Sequence, residues 1–150
     1  MDNNIEVKEV TIEEAIEVHK NITEFYETEP KKEYFENKYK NSEHLIIVAY
    51  LDKIPIGYII GYDKFKDNKN SFYCWMAGVD NRYRRKGVLK ALMNYQMKWA
   101  KEKGYKNLKI KTRNYRREML NFLVKNNWLF TSIEVQEDIR ENRINLEIKL

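Results

Sequence analysis

The sequence predicts an α/β fold, of the α+β kind on a mixed sheet, with the element order β-α-α-β-β-β-α-β-α-β-β in a single domain over residues 1–150. Three observations predict it. Three strand-like runs follow one another between His44 and Val79, which gives antiparallel neighbours. A strand, a long amphipathic segment and another strand then cross residues 72–112, and two strands joined in that way lie parallel through a right-handed crossover. Two more strand-like runs close the chain around the polar stretch "EDIRENR".

The elements follow in order. "IEVKEV" reads as a short first strand, Ile5 to Val10. Thr11 is placed to cap the next helix, with Glu14 three residues on as its capping-box partner. Ile12, Ala15, Ile16 and His19 share one face of that helix. "NITEFYETEPKKEYFENKYKN" reads as a second helical region broken around Pro30. "HLIIVAYLD" has the composition of a buried strand, "KIP" is a turn, and "IPIGYIIGYDKF" and "NSFYCWMAGVD" are the next two strands. Val88, Ala91, Leu92, Tyr95 and Trp99 recur at spacings of three and four, a helical stripe that "KEKG" closes with cations and Gly104. "YKNLKIKT" is a strand, Met119, Leu120, Phe122 and Leu123 mark a short helix, and "LFTSIEVQ" and "INLEIKL" are the final strands.

Composition narrows the class of function. A chain of 150 residues with 43% hydrophobic residues can bury one core, and five Gly and two Pro argue against linker-rich character. The net charge of +5 favours acidic partners such as nucleotides, phosphates or nucleic acid without choosing among them. Cys74 is the one cysteine, so no internal disulfide forms, which fits a reducing cytoplasm. "MDNNIEVKEV" lacks the basic and apolar regions of a signal peptide, and no apolar run approaches the length of a membrane span. His19 and His44 have no metal-ligand spacing, so no metal site is expected.

The stretch "YRRKGVLKALM" carries the strongest functional signal. A helix start leaves backbone N–H groups unpaired and carries partial positive charge, so it suits an anion. Arg84, Arg85 and Lys86 precede the first turn and reinforce that charge, and Gly87 lets a phosphate approach the backbone with no Cβ in the way. A solvated basic loop with an ordinary turn glycine accounts for the same letters. The stretch is neither a Walker loop nor a dinucleotide fingerprint, because Leu89 stands where a second glycine is needed.

The longer segment "GVDNRYRRKGVLKALMNYQMKWAKEKGY" resembles the acetyl-CoA-binding segment of the GNAT acetyltransferases, whose signature is Arg/Gln-x-x-Gly-x-Gly/Ala after a strand ending in Val. Val79, Arg84 and Gly87 match it, and Leu89 departs from its last small residue. "NLKIKTRNYRREMLNFLVKNNW" is similar to the next strand and helix of the family. The resemblance implies a GNAT-like fold and acetyl-CoA as cosubstrate. It implies direct transfer of an acetyl group to the amine of a small-molecule or protein acceptor. It places the CoA pyrophosphate on the backbone N–H groups from Arg85 through Lys86, Gly87 and Val88 to Leu89, beside Arg84. It pairs the pantetheine arm with Met76, Ala77, Gly78 and Val79, in a gap where the strands Phe72–Val79 and Asn107–Thr112 splay apart.

Within that resemblance Gly78 marks the bulge that opens the gap, or is an ordinary close-packing glycine. A backbone N–H near Gly78 or Val79 serves as oxyanion donor. Relatives begin the helix after the gap with an Asn that touches the pantetheine. Arg116 stands at that position and Asn114 two residues earlier, so both are candidates. Leu123 occupies the place of a tyrosine that protonates the thiolate in relatives, and the hydroxyls of Tyr73 and Tyr115 are alternatives to it or plain packing groups. Glu24, Glu27 and Glu29 fall in the region that covers the acceptor. Glu24 is the candidate catalytic base, acting through water, against the reading of a solvated acidic helix face. Cys74 has no nearby His and reads as a buried strand residue. Trp75 alternates with Tyr73 and Ala77, opposite Cys74 and Met76, and lines either the acceptor pocket or the sheet packing.

Two other functions compete. One is an acyl-CoA-binding protein without catalysis. The other is a basic nucleic-acid-binding module built on "RNYRREML" and "NRYRRKG", which 23 acidic residues and the lack of any RNA- or DNA-binding motif oppose. The paired C-terminal strands could also form an edge-to-edge homodimer.

Overall fold

The computed structural model describes residues 4–22 and 31–150. Among these residues seven strands form one sheet in the order β1-β2-β3-β4-β5-β7-β6. They are β1 (Ile5–Glu9), β2 (His44–Leu51), β3 (Ile54–Tyr62), β4 (Ser71–Val79), β5 (Asn107–Arg113), β6 (Leu129–Glu134) and β7 (Arg143–Lys149). The α-helices among the described residues are α1 (Ile12–His19), α2 (Lys32–Tyr39), α3 (Val88–Glu102) and α4 (Arg117–Lys125). The chain order is the one the sequence predicts. β1 to β4 pair antiparallel, β4 and β5 pair parallel across the α3 crossover, and β7 lies antiparallel between β5 and β6.

Local chemistry explains the helix boundaries. Thr11 caps α1, its side chain accepting from the Glu14 N–H at 3.4 Å. Ile12, Ala15, Ile16, Val18 and His19 are the buried face of α1, as the spacing requires. On α3 the buried row is Val88, Leu92, Gln96 and Ala100 with Met93, while Tyr95 and Trp99 flank it half-buried. Gly104, at φ 98°, ends that helix.

The sheet has a core on each face. Helices α3 and α4 cover Leu45, Ile47, Ile59, Phe72, Leu108 and Leu146 with Val88, Leu92, Leu120 and Leu123. Helices α1 and α2 cover Ile46, Val48, Tyr58, Ile60, Tyr62 and Tyr73. Burial on both faces is why β2 and β3 read as continuous apolar runs rather than alternating ones.

Two irregularities in β4 shape everything beside it. Ile60 pairs with Met76, but Gly61 pairs with Cys74, so Trp75 is the extra residue of a β-bulge. The bulge expected at Gly78 is therefore at Trp75. It also corrects the expected alternation: Trp75 and Met76 both pack on the α1–α2 face, and Ala77 moves to the α3–α4 face. Packing is tight across the ladder from the bulge. A Cβ on Gly61 would sit 2.6 Å from both Gln96 Oε1 and Phe72 Cε2, so a bare backbone here lets α3 and Phe72 press against the sheet. The second irregularity is that β4 and β5 pair only from Ser71 opposite Asn107 to Cys74 opposite Ile110. Beyond those residues β4 runs on to Val79 and β5 to Arg113 without pairing, and a gap opens between them.

Candidate functional site

Along the gap the backbone makes no β4–β5 ladder bonds. The Asp80 N–H donates to the Ile56 carbonyl at 2.8 Å, on the β3 side. Residues of an antiparallel strand alternate in which neighbour they bond, so Gly78 and Met76 also turn their polar groups toward β3. Ala77 and Val79 turn their N–H and C=O groups into the gap. The Val79 carbonyl already accepts from Arg84 Nε at 3.3 Å. Of the two positions expected to supply a backbone donor, Val79 faces the gap and Gly78 faces away.

The turn after β4 is built on a residue the sequence reading passed over. Asp80 is buried, and its carboxylate accepts from the Arg82 backbone N–H at 3.0 Å and pairs with the Arg82 guanidinium at 2.7 Å. The hydrogen bond from Arg82 holds the Asp80 carboxyl below its ordinary range, so it stays ionised. A carboxylate directly after a strand and two residues before an arginine was the signal available for this clamp. Arg84 is extended, Arg85 has φ 64° and Gly87 has φ 81°, and α3 begins at the next residue. Left-handed residues close together in a turn bring successive N–H groups to one side, a concavity suited to anions.

Gly87 is the N-cap of α3 and has no side chain to cap it. The first intrahelical bond runs from the Ala91 N–H to the Gly87 carbonyl at 3.0 Å, so the N–H groups of Val88, Leu89 and Lys90 have no partner within the helix. A Cβ built on Gly87 meets nothing within 4 Å. Arg85, Lys86 and Gly87 are exposed, Arg84 and Leu89 are half-buried, and Val88 is buried beneath them. The turn is thus open to solvent, unsealed by other side chains. Among the described residues, Glu118 in the first turn of α4 opposes it, 3.8 Å from both Arg84 and Arg85. Chemically, an open turn of cations at an uncapped helix start can hold a diphosphate, and the adjoining gap can accept an extended amide-bearing chain.

The remaining candidates lie around this centre. Arg116 is the residue before α4, half-buried, and its charge is felt at Tyr58 on β3. Asn114 is committed to the fold: its amide donates to the Ile139 carbonyl at 3.1 Å and its oxygen accepts from Arg117 at 2.8 Å. With Tyr115, Arg117 and Arg140 it lines a shallow cavity of about 280 Å3. Leu123 is fully buried in the α3–α4 core. Glu24, Glu27 and Glu29 lie outside the described residues.

Burial decides the state of several titratable groups. The Cys74 thiol is fully buried and pushed up to about 12, so it is no thiolate at neutral pH. Burial likewise raises Tyr73 and Tyr58. His19 is buried with Nδ1 2.6 Å from the Tyr58 hydroxyl, and burial lowers it to about 4, so its ring is neutral. His44 is exposed and stacks on Tyr39 at 4.2 Å between ring centroids. Among the described residues no group of three or more His, Cys, Asp or Glu side chains could hold a metal ion, and no helix is long and apolar enough to cross a membrane.

Comparison with known proteins bears on the family and the fold. The family model described as "Acetyltransferase (GNAT) family" matches residues 12–127. No curated protein sequence matches the chain significantly. Among solved structures, an IAA acetyltransferase from Bacillus cereus superposes with a TM-score of 0.77 at 16% identity, over 98% of this chain and 100% of that one. A GNAT family acetyltransferase from Elizabethkingia anophelis with acetyl-CoA bound gives 0.76 at 18% identity, over 99% and 100%. The PaiA N-acetyltransferase from Thermoplasma acidophilum, in complex with coenzyme A, gives 0.71 at 20% identity, over 98% and 99%.

Proposed function

Because this chain belongs to the GNAT acetyltransferase family, we propose that it is an acetyl-CoA-dependent N-acetyltransferase that moves an acetyl group directly to the amine of its acceptor. One observation carries the reading. The parting of β4 from β5 after Cys74 leads straight to the open, cation-fronted start of α3. A thioester on an extended amide arm with a diphosphate at its end fits both parts at once.

In this reading Arg85 to Leu89 hold the diphosphate through backbone N–H groups, with the charges of Arg84, Arg85 and Lys86 around it. Arg84 has a second task, because its bond to the Val79 carbonyl fixes the end of β4 against the turn. Ala77 and Val79 supply ladder groups to the arm, and their N–H groups are the donors nearest to where charge develops on the thioester oxygen. Arg116, at the mouth of the gap, adds positive charge. Bound acetyl-CoA supplies an activated acyl group. The attacking nitrogen sheds one proton as the amide forms and the departing sulfur takes one up, so the exchange balances without a side-chain acid at Leu123. Glu24 is proposed as the group that receives the amine proton through water.

The experiment is a spectrophotometric assay of released CoA thiol over a panel of small amines and peptide N-termini, with calorimetry for acetyl-CoA. Micromolar binding with turnover of at least one amine supports the proposal. Absence of acetyl-CoA binding at high micromolar concentration contradicts it. Binding without thiol release across the panel would leave an acyl-CoA-binding protein.

A further inference from the structure

Among the described residues, helices α1 and α2 cover one sheet face as far as β4, and beyond it a basic, aromatic surface borders the gap. On β5, Leu108, Ile110 and Thr112 are buried, with Leu108 and Ile110 in the α3–α4 core, so Lys109, Lys111 and Arg113 alternate to the opposite face. Tyr73 pairs with Lys109, and the bulge turns Trp75 and Met76 onto this same face where the gap begins. Lys64, just past the end of β3, sets its ammonium 4.4 Å from the centre of the Tyr73 ring. The Lys109 ammonium is 4.7 Å from the Phe65 ring, and Lys38 reaches across from α2 to 5.9 Å from the Trp75 ring.

The counter-charges are unevenly spread. Lys111 pairs with Glu134 at 3.0 Å, Lys109 with Glu147 at 3.9 Å and Arg113 with Glu141 at 2.8 Å. Among the described residues no carboxylate lies within 4 Å of Lys64, which rests on aromatic faces instead. Partial burial lowers the Lys64 ammonium from its ordinary range. Repulsion from Lys111 and Lys38 adds to this, and Glu134 acts weakly in the other direction. Ammonium groups kept within each other's field gain when an anion comes between them. The rings beneath exclude water and make such a contact stronger.

We propose that the acceptor carries an anionic group, a carboxylate or a phosphate, alongside its amine, and that Lys64 with Lys38 and Lys111 binds that group on the aromatic floor of Tyr73 and Trp75. This rests on the acetyltransferase reading for the amine's fate, but the anion contact stands on its own geometry. Trp75 lies at the point where the gap opens, so an anion held on this face leaves the rest of the acceptor directed toward the gap.

Matched amines test it. Thiol release is measured with tyrosine against tyramine and with phosphoethanolamine against ethanolamine, for the wild type, Lys64→Ala and Lys64→Arg. The first pair reads a carboxylate and the second a phosphate. The acidic member of at least one pair is expected to have a kcat/KM roughly tenfold higher. Lys64→Ala should erase that preference without changing the calorimetric affinity for acetyl-CoA, and Lys64→Arg should keep it. Equal rates within both pairs, or a preference that survives Lys64→Ala, overturn the proposal. NMR of the protein with isotopically methylated lysines gives a reading independent of turnover. The Lys64 signal should move with phosphoethanolamine or tyrosine and stay with their neutral partners. A Lys64 signal indifferent to both acids also overturns it, whereas failure of acetyl-CoA binding would strike the acetyltransferase reading alone.

Discussion

Cys74 is the last residue of β4 to face a partner on β5, Ile110. The next residue, Trp75, is the bulge. Loss of pairing and loss of register therefore coincide at one point, and each assists the other. A bulge bends its strand and increases local twist, which carries the end of β4 away from β5. From there the two strand edges diverge toward Val79 and Arg113, with their ladder groups turned to a gap instead of to each other.

Proline substitutions should separate the two edges of β4. At Ala77 a proline removes an N–H that faces the gap, and at Gly78 it removes one that faces β3. Ala77→Pro is expected to lower acetyl-CoA affinity with a modest loss of stability. Gly78→Pro should cost about 1–3 kcal/mol through the broken ladder bond. Calorimetry and denaturant melts on both variants check the contrast.

At Gly87 the backbone conformation and the open space act separately. Its φ of 81° penalises any side chain by about 1–2 kcal/mol, yet a Cβ there meets no atom within 4 Å. Gly87→Ala should therefore lose only that amount in a urea melt. Gly87→Trp should remain folded with similar stability but lose acetyl-CoA binding, because its ring occupies the space where a diphosphate would sit. Equal affinity of Gly87→Trp and wild type would show that the turn is not used.

Glu118 stands 3.8 Å from both Arg84 and Arg85 and competes with any anion for them. It is largely exposed, so the competition is weak. Glu118→Gln is expected to tighten acetyl-CoA binding roughly two- to fivefold at low salt, an effect that fades as ionic strength rises. Titrations at two salt concentrations read this directly.

His19 gives the protein a pH signature. Its imidazole is held near 4 by burial, against about 6.5 in an unfolded chain. Protons then bind the unfolded state more readily. The contribution to stability is complete above about pH 6.5 and declines as pH falls from 6.5 toward 4. Thermal melts between pH 7 and 5 should show the wild type losing stability with acid, and His19→Gln should flatten that slope. A slope unchanged in His19→Gln would place the acid sensitivity elsewhere.

The element order was legible because each element repeats its period several times. Thr11 and Glu14 marked the start of α1, and Gly104 the end of α3, from local chemistry alone. The open turn at Arg84 to Leu89 was legible for the same reason, since charge and glycine sit side by side in the chain. The bulge was not. It lies across the ladder from Gly61, where Gln96 and Phe72 press close, and adjacent letters do not reveal those partners. His19 and Tyr58 are 39 residues apart, so their contact needed the folded chain. Asn114 could be placed near the gap from its neighbours, but its use in bonding Ile139 and Arg117 depends on the β6–β7 connection folding back.

The most direct measurement is amide NMR of the isotopically labelled chain titrated with acetyl-CoA. The account predicts that the largest shifts fall on Arg85, Lys86, Gly87, Val88 and Leu89 at the turn into α3, and on Ala77 and Val79 in the gap, with Gly78 and the outer strands β1 and β6 moving least. Shifts clustered away from α3 and β4, with the Gly87 and Val88 amides unmoved at saturation, would contradict it.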